Sequence, residues 1–218
     1  ISVGGTNKKL SYYSFVQFKS YEGWRSNSEY NQVSGFAKIE YQATKKFKIG
    51  FEYTIFRNVI HMAGGLTDAK FEQDPSQSNR ARNWLNSPWN MFALTSEYKI
   101  SEKTLLVFKS VMNVSQREMV WLKEGNATLA DSISPITNQF AYREAQKRTF
   151  TNSTTELRLL TNYNIKGVKQ TLAGGVRYFY GAMERFGGGI GSTGSDFDMS
   201  TIINSNGKHW AEVLDFGT

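Results

Sequence analysis

Long runs of strict two-residue alternation, joined by connections that are short, then long, then short again, constrain this chain more than any other feature. The cleanest run spans Gln32 to Thr44. Val33, Gly35, Ala37, Ile39, Tyr41 and Ala43 share one face, and Gln32, Ser34, Lys38, Glu40, Gln42 and Thr44 share the other. Successive side chains of a strand point to opposite sides, so this spelling predicts a strand with one apolar and one polar face. Lys45-Lys46 turns the chain. Phe47, Ile49, Phe51, Tyr53 and Ile55 then resume opposite Lys48, Glu52, Thr54 and Asn58, which predicts a hairpin.

The same arrangement recurs. Leu10, Tyr12, Val16 and Phe18 alternate with Ser11, Gln17 and Lys19, before a polar loop from Tyr21 to Asn31. A long loop from about Ile60 to Pro88 pours into Phe92, Leu94, Ser96, Tyr98 and Ile100, set against Ala93, Thr95, Glu97 and Lys99. Ser101-Glu102-Lys103 turns into a strand from Thr104 to about Val120, followed by a polar loop to Lys147. Arg148 to Ile165 alternates again, Lys166 to Lys169 turns it, and Leu172, Val176, Tyr178 and Tyr180 oppose Thr171, Arg177 and Phe179. Ile1 to Gly5 reads as a strand stub. Phe186 to Thr218 is a glycine- and serine-rich stretch with no clear return to a strand.

These strands run about ten residues or more, the length needed to cross a bilayer at a tilt, whereas strands of soluble proteins average ~5–6 residues. Short turns at one end and long loops at the other are the habit of outer-membrane barrels. The predicted fold is therefore all-β, an antiparallel transmembrane β-barrel segment. A soluble all-β domain is the competing architecture. About seven strands and a stub do not close a barrel of even count, so the chain reads as part of a larger one.

Composition agrees. The hydrophobic share is 39% while aromatics reach 14%, as expected when apolar residues are spread by alternation. No apolar run is long enough for a membrane helix, which leaves a barrel open. With no cysteine, disulfides, zinc-thiolate sites and thiol catalysis are excluded. The 2 histidines, His61 and His209, argue against a histidine-rich metal site, and His61 is expected to be a solvated loop residue. The net charge of +7 is strewn along the chain rather than gathered in a block, which argues against nucleic acid as a partner. No nucleophile–base–acid set is visible, so the expectation is not an enzyme. Gly189 to Gly194 spells G-x-G-x-x-G, but no helix pattern follows, and a flexible loop is the better reading. Ile1 to Gly5 lacks the basic and apolar regions of a leader, and reads as the middle of something longer.

Several stretches resemble the barrel of TonB-dependent outer-membrane receptors, most nearly the ferric-citrate and siderophore branch. They are Ala63 to Ala69, Gln73-Asp74-Pro75, Gln77 to Trp84, Trp89 to Leu94, Glu156 to Leu160, Leu172 to Tyr178 and Gly194 to Asp198. The resemblance implies that residues 1–218 are part of a barrel of roughly 22 strands, without its plug domain. It implies import of a ferric chelate across the bacterial cell outer membrane, with energy from the TonB complex reaching the protein through an N-terminal region outside this sequence. Iron would enter only as part of the chelated substrate, with no resident cofactor and no protein metal ligand.

Within that frame, Arg80 and Arg82, beside Gln77 and Trp84, form the candidate ligand-binding set, since guanidinium forks suit carboxylates of an anionic chelate. The bland alternative is that these arginines pair with Asp74 or Glu72 and merely shape the loop. Trp24, Arg25 and Arg143 are further candidates. Lys38, Glu40, Glu52, Glu97, Glu156, Arg158 and Arg177 are expected to pair with one another or with the plug. Tyr12, Tyr13, Phe47, Tyr53, Tyr98, Tyr163, Tyr178 and Tyr180 are expected to form a membrane-interface girdle. Two other functions remain: a glycan importer working with a surface lipoprotein, and a self-contained small barrel with a structural or adhesive role.

Overall fold

Eleven strands form a single antiparallel sheet in the computed structural model, which describes residues 1–122, 128–202 and 212–215. The long strands follow chain order: β1 (Ser2–Asn7), β2 (Leu10–Tyr21), β3 (Tyr30–Gln42) and β4 (Phe47–His61). A short helix α1 (Asp68–Gln73) follows; then β5 (Trp84–Asn86) and β6 (Trp89–Lys99) share one place between β4 and β7 (Thr104–Trp121). Next come β8 (Glu144–Ile165) and β9 (Val168–Gly191). Two short pieces, β10 (Thr201–Ile202) and β11 (Glu212–Asp215), pair with the free edge of β9. The break between β5 and β6 falls at Ser87-Pro88, where proline has no amide to donate. The ladder is bridged there by the Ser87 amide on the Asn58 carbonyl and the Gln116 amide on the Pro88 carbonyl.

All the tight turns lie at one end. Lys8 (φ 52°) helps to close β1–β2, and Lys166 (φ 50°) with Gly167 (φ 83°) closes β8–β9 with two left-handed residues, the geometry that suits a two-residue hairpin. The Thr44 hydroxyl accepts from the amides of Lys46 and Phe47 to close β3–β4. The opposite end carries the long connections 22–29, 62–88, 122–143 and 192–200.

Register sorts the side chains as the alternation predicts. Tyr12, Ile39, Phe51 and Leu94 are consecutive cross-strand partners on one face. That face stays bare: Phe51, Leu94, Leu157, Val176 and Tyr178 are all exposed. A sheet normally hides its apolar face against a second layer, and among the described residues none covers this one. Among the described residues the buried apolar ones are few, and apart from Ala93 they cluster at the long-loop end: Ala63, Met119, Val120, Leu122 and Ala145. The other face carries a charge lattice. Lys38 reaches Glu52 at 3.1 Å and Glu40 at 3.6 Å, Lys48 reaches Glu40 at 3.2 Å and Glu97 at 3.9 Å, and Glu156 pairs with both Arg158 and Arg177.

Several expectations need correction. Tyr13 is not on the apolar face with the other girdle residues; it lies on the polar face, where its ring meets Phe15 and Phe36 at centroid distances of 6.3 Å. The strand ending near Tyr180 continues to Gly191, so half of the Gly189–Gly194 spelling is ladder rather than loop. Glycine-rich spelling hides this, because glycine has no side chain to show alternation. The tail also returns to the sheet as β10 and β11.

Adjacent glycines on β9 make a sharp test of this packing. A Cβ on Gly174 would meet nothing within 4 Å, since it opens onto an apolar depression walled by Leu106, Leu157, Leu159 and Leu172. A Cβ on Gly175 would lie 2.5 Å from the Leu157 carbonyl oxygen. Gly175→Ala is expected to destabilise by about 1–3 kcal/mol in denaturant unfolding, while Gly174→Ala leaves stability unchanged.

Candidate functional site

The long loops do not trail into solvent; arginines tie them into one layer over the end of the sheet. Gly64 has φ 76°, and a Cβ there would stand 2.5 Å from the Arg80 Cγ, so the chain turns at Gly64 with Arg80 packed against it. Arg25, from the β2–β3 connection, donates to the Gln77 carbonyl at 2.9 and 3.1 Å and to the Gly64 carbonyl at 3.0 Å. The Gln77 side chain caps α1, donating to the carbonyls of Lys70 and Asp74 at 2.6 and 3.0 Å.

Arg82 is fully buried. Its Nη1 donates to the carbonyls of Ala141 (3.0 Å) and Thr193 (3.2 Å), its Nη2 to Asp131 (3.3 Å), and its guanidinium sits 4.4 Å above the Phe140 ring. Arg80 is 3% exposed, and its Nη1 lies 3.9 Å from the same Asp131 carboxylate. The second Asp131 oxygen accepts from the Ala81 amide at 2.8 Å. Arg143, at the foot of β8, is 1% exposed and donates to the carbonyls of Arg82 (3.0 Å) and Asp196 (2.7 Å) and to the Ser192 hydroxyl (2.7 Å). Burial pushes the Arg143 pKa down and the Arg82 charge adds to that, against Asp196, Asp198 and Asp131. Burial lowers Arg80 too, with Asp131 opposing. Guanidiniums so placed are held by carbonyl oxygens as much as by charge.

His61 closes the layer from the side. It is buried at the last residue of β4, not solvated in a loop. Its ring stacks on Trp84 at 3.9 Å and 4°. Its Nδ1 faces the Glu29 carboxylate at 2.6 Å, and its Nε2 donates to the Ala81 carbonyl at 2.9 Å. A carbonyl can only accept, so the ring and carboxylate together hold two protons. Trp84 in turn donates its indole N–H to the Ser195 carbonyl at 2.6 Å.

The structure thus keeps Arg80 and Arg82 together and commits Gln77 and Trp84 to other partners. Arg80 and Arg82 meet at Asp131, rather than at Asp74, which closes its own turn with Ser76, or at Glu72. Gln77 serves α1, and Trp84 serves His61 and the 192–200 loop. Asp131, Glu29 and Ser192 carry much of this geometry with no local sequence signal, because each acts on a loop far away in the chain. His209 lies outside the described residues. Among the described residues, no group of histidines and carboxylates is placed to hold a metal ion.

Neither the family models nor the curated proteins give a match to this sequence. Its fold does have a match. The chain superposes on the ferric citrate transporter FecA in its unliganded form with a TM-score of 0.73 at 16% identity, over 90% of this chain. It spans 29% of the length of that transporter. The likeness is one of fold: a nearly all-antiparallel sheet that matches a barrel-like segment of that transporter.

Removing one partner from a buried ion pair leaves the other charge uncompensated, at a cost of about 3–5 kcal/mol. Arg82→Ala or Asp131→Ala is expected to abolish amide exchange protection in 62–88 and 128–143 while β2 to β4 keep theirs. A second expectation concerns acid. Burial raises the Glu29 carboxyl, but the hydrogen bond from His61, its own amide and the His61 charge together hold it below the usual range. The ionised Glu29 carboxylate therefore stabilises the layer above the ordinary glutamate pKa, and that stability is lost as pH falls through the depressed value. Protection of the His61 amide, which donates to the Glu29 carbonyl, should fall below roughly pH 4. Glu29→Gln should flatten that dependence.

Proposed function

We propose that residues 1–218 form part of the barrel wall of an outer-membrane active-transport receptor, which binds and imports an anionic ferric chelate with TonB-derived energy. The observation that carries this reading is the two-faced sheet. Its apolar face is bare, its other face is laced with ion pairs along its lower rows, and its long loops all lie at one end, on a fold shared with a ferric citrate transporter. In lipid, a strand must satisfy its backbone from its neighbours, and this ladder does so without a second layer. The apolar face would meet acyl chains, and the charged face would line the path of the solute. The loop layer fixes the shape of the outer mouth through its buried arginines. Ferric citrate and siderophore complexes are substrates in this reading, and the chelator rather than the protein holds the iron.

A glycan importer is the second reading. It is favoured by Trp24, which stands 63% exposed in the β2–β3 connection beside the Arg25 anchor and offers a stacking face for a sugar. The parent protein, purified with its full reading frame, separates the two. Ferric citrate or a ferric siderophore is expected to bind saturably and to be accumulated by cells in a TonB-dependent manner, with Trp24→Ala having little effect. Binding of oligosaccharides alone, lost in Trp24→Ala, would replace the iron reading with the glycan one.

A further inference from the structure

Across the polar face, opposite signs stand beside each other. Lys38 is the cross-strand partner of Glu52, Lys48 of Glu97, and Lys109 of Glu156, which is partnered on its other side by Arg177. One row breaks the pattern. Arg117 on β7, Arg148 on β8 and Arg185 on β9 are direct cross-strand partners, so three guanidiniums stand side by side on that same face. Partners of this kind have Cβ atoms about 4.5–5.5 Å apart, and like charges so placed repel.

Nothing described neutralises the row. Among the described residues none of the three makes an ion pair. Arg117 reaches only the Met119 sulfur at 3.9 Å, and Arg148 only the Gln146 amide oxygen at 3.5 Å. The Arg148 Nε is buried without a hydrogen-bond partner. Above the row, Gln146 is occupied with Glu144 at 3.0 Å; below it lie Ser115, Phe150 and Met183. All three arginines are half-buried, so they are fixed by their strands yet open to a solute.

Height places the row at the mouth. At ~3.3 Å per residue, Arg148 and Arg185 lie roughly 55 Å along their strands from the turn at Lys166-Gly167. An apolar band ~25 Å tall crossed at a tilt ends well below that. The opposite face agrees: it changes from Leu106, Phe108 and Met112 to Gln116 and Glu118 on β7, and from Leu159 and Leu157 to Thr149 and Lys147 on β8. The three side chains span two strand spacings, about 10 Å, which suits a compact ion with several oxyanion groups better than a single carboxylate.

We propose that Arg117, Arg148 and Arg185 form a binding site for a multiply charged oxyanion, a polycarboxylate or a phosphate-bearing solute, on the inner wall above the bilayer. Guanidinium forks match either group. Assigning the inner wall as the solute's path rests on the importer reading above.

The test uses the full parent protein in detergent, with citrate, pyrophosphate and ferric citrate as separate probes, comparing wild type with Arg148→Gln, Arg185→Gln and Arg148→Lys. At least one probe is expected to bind, weaken tenfold or more in each glutamine variant, and recover in part in the lysine variant. The melting temperature in the absence of probe is expected to stay level or rise, since each substitution relieves a self-repelling row. Which probe binds tells polycarboxylate from phosphate. Unchanged affinity in the glutamine variants overturns the site, and so does a loss of binding accompanied by a lower melting temperature. If ferric citrate binds equally to wild type and variants, the site falls and the importer reading stands. If citrate or pyrophosphate binds through the row while no ferric chelate binds or is taken up, the iron reading falls and the site stands.

Discussion

Each inner strand of this sheet is held by backbone hydrogen bonds to the strands on either side, and among the described residues no second layer presses on its apolar face. Everything else follows from that. A ladder without a packed core has to be long to be stable, and β7, β8 and β9 run 18, 22 and 24 residues. It also has to keep one register, because a one-residue slip would turn Phe51, Leu94 and Leu157 onto the charged face and Lys38 and Glu156 onto the apolar one. The charge lattice on the polar face reinforces that choice. Lys38–Glu52 and Glu156–Arg177 are each correct in only one register.

How much of this was legible followed from how local the determining physics is. Alternation between Val33 and Tyr41, or between Phe47 and Ile55, depends only on neighbours in sequence, so β3 and β4 could be read directly. Where glycine replaces side chains, at Gly187 to Gly191, the alternation vanishes although the ladder continues. Tyr13 misled for a related reason: an aromatic beside an aromatic says nothing about which of the two faces it takes, and only the pairing of Tyr13 with Lys38 decides it.

The loop layer was illegible in a deeper sense. That the Arg80–Arg82 segment matters is visible in its composition, but what it does depends on partners dozens of residues away: Asp131, Ala141 and Thr193. A pair of arginines in a polar loop reads equally well as an anion clamp or as a structural tie. The difference is whether nearby carbonyls have already claimed the guanidinium hydrogens. For Arg143 they have, through the carbonyls of Arg82 and Asp196, and for Arg82 the two Nη groups are taken by Ala141, Thr193 and Asp131, which leaves only its Nε without a partner.

The same criterion separates the two sets of arginines in the chain. A guanidinium satisfied by its own protein contributes order, and its removal costs stability. A guanidinium held beside others of like charge costs stability as it stands, and its hydrogens are free for something that arrives. Strands hold such groups at fixed spacing before any solute comes, so little ordering cost falls on binding. The loop arginines thus lie on the side of architecture and the row of Arg117, Arg148 and Arg185 on the side of recognition. The spacing that tells them apart exists only across strands, where no reading along the chain can reach it.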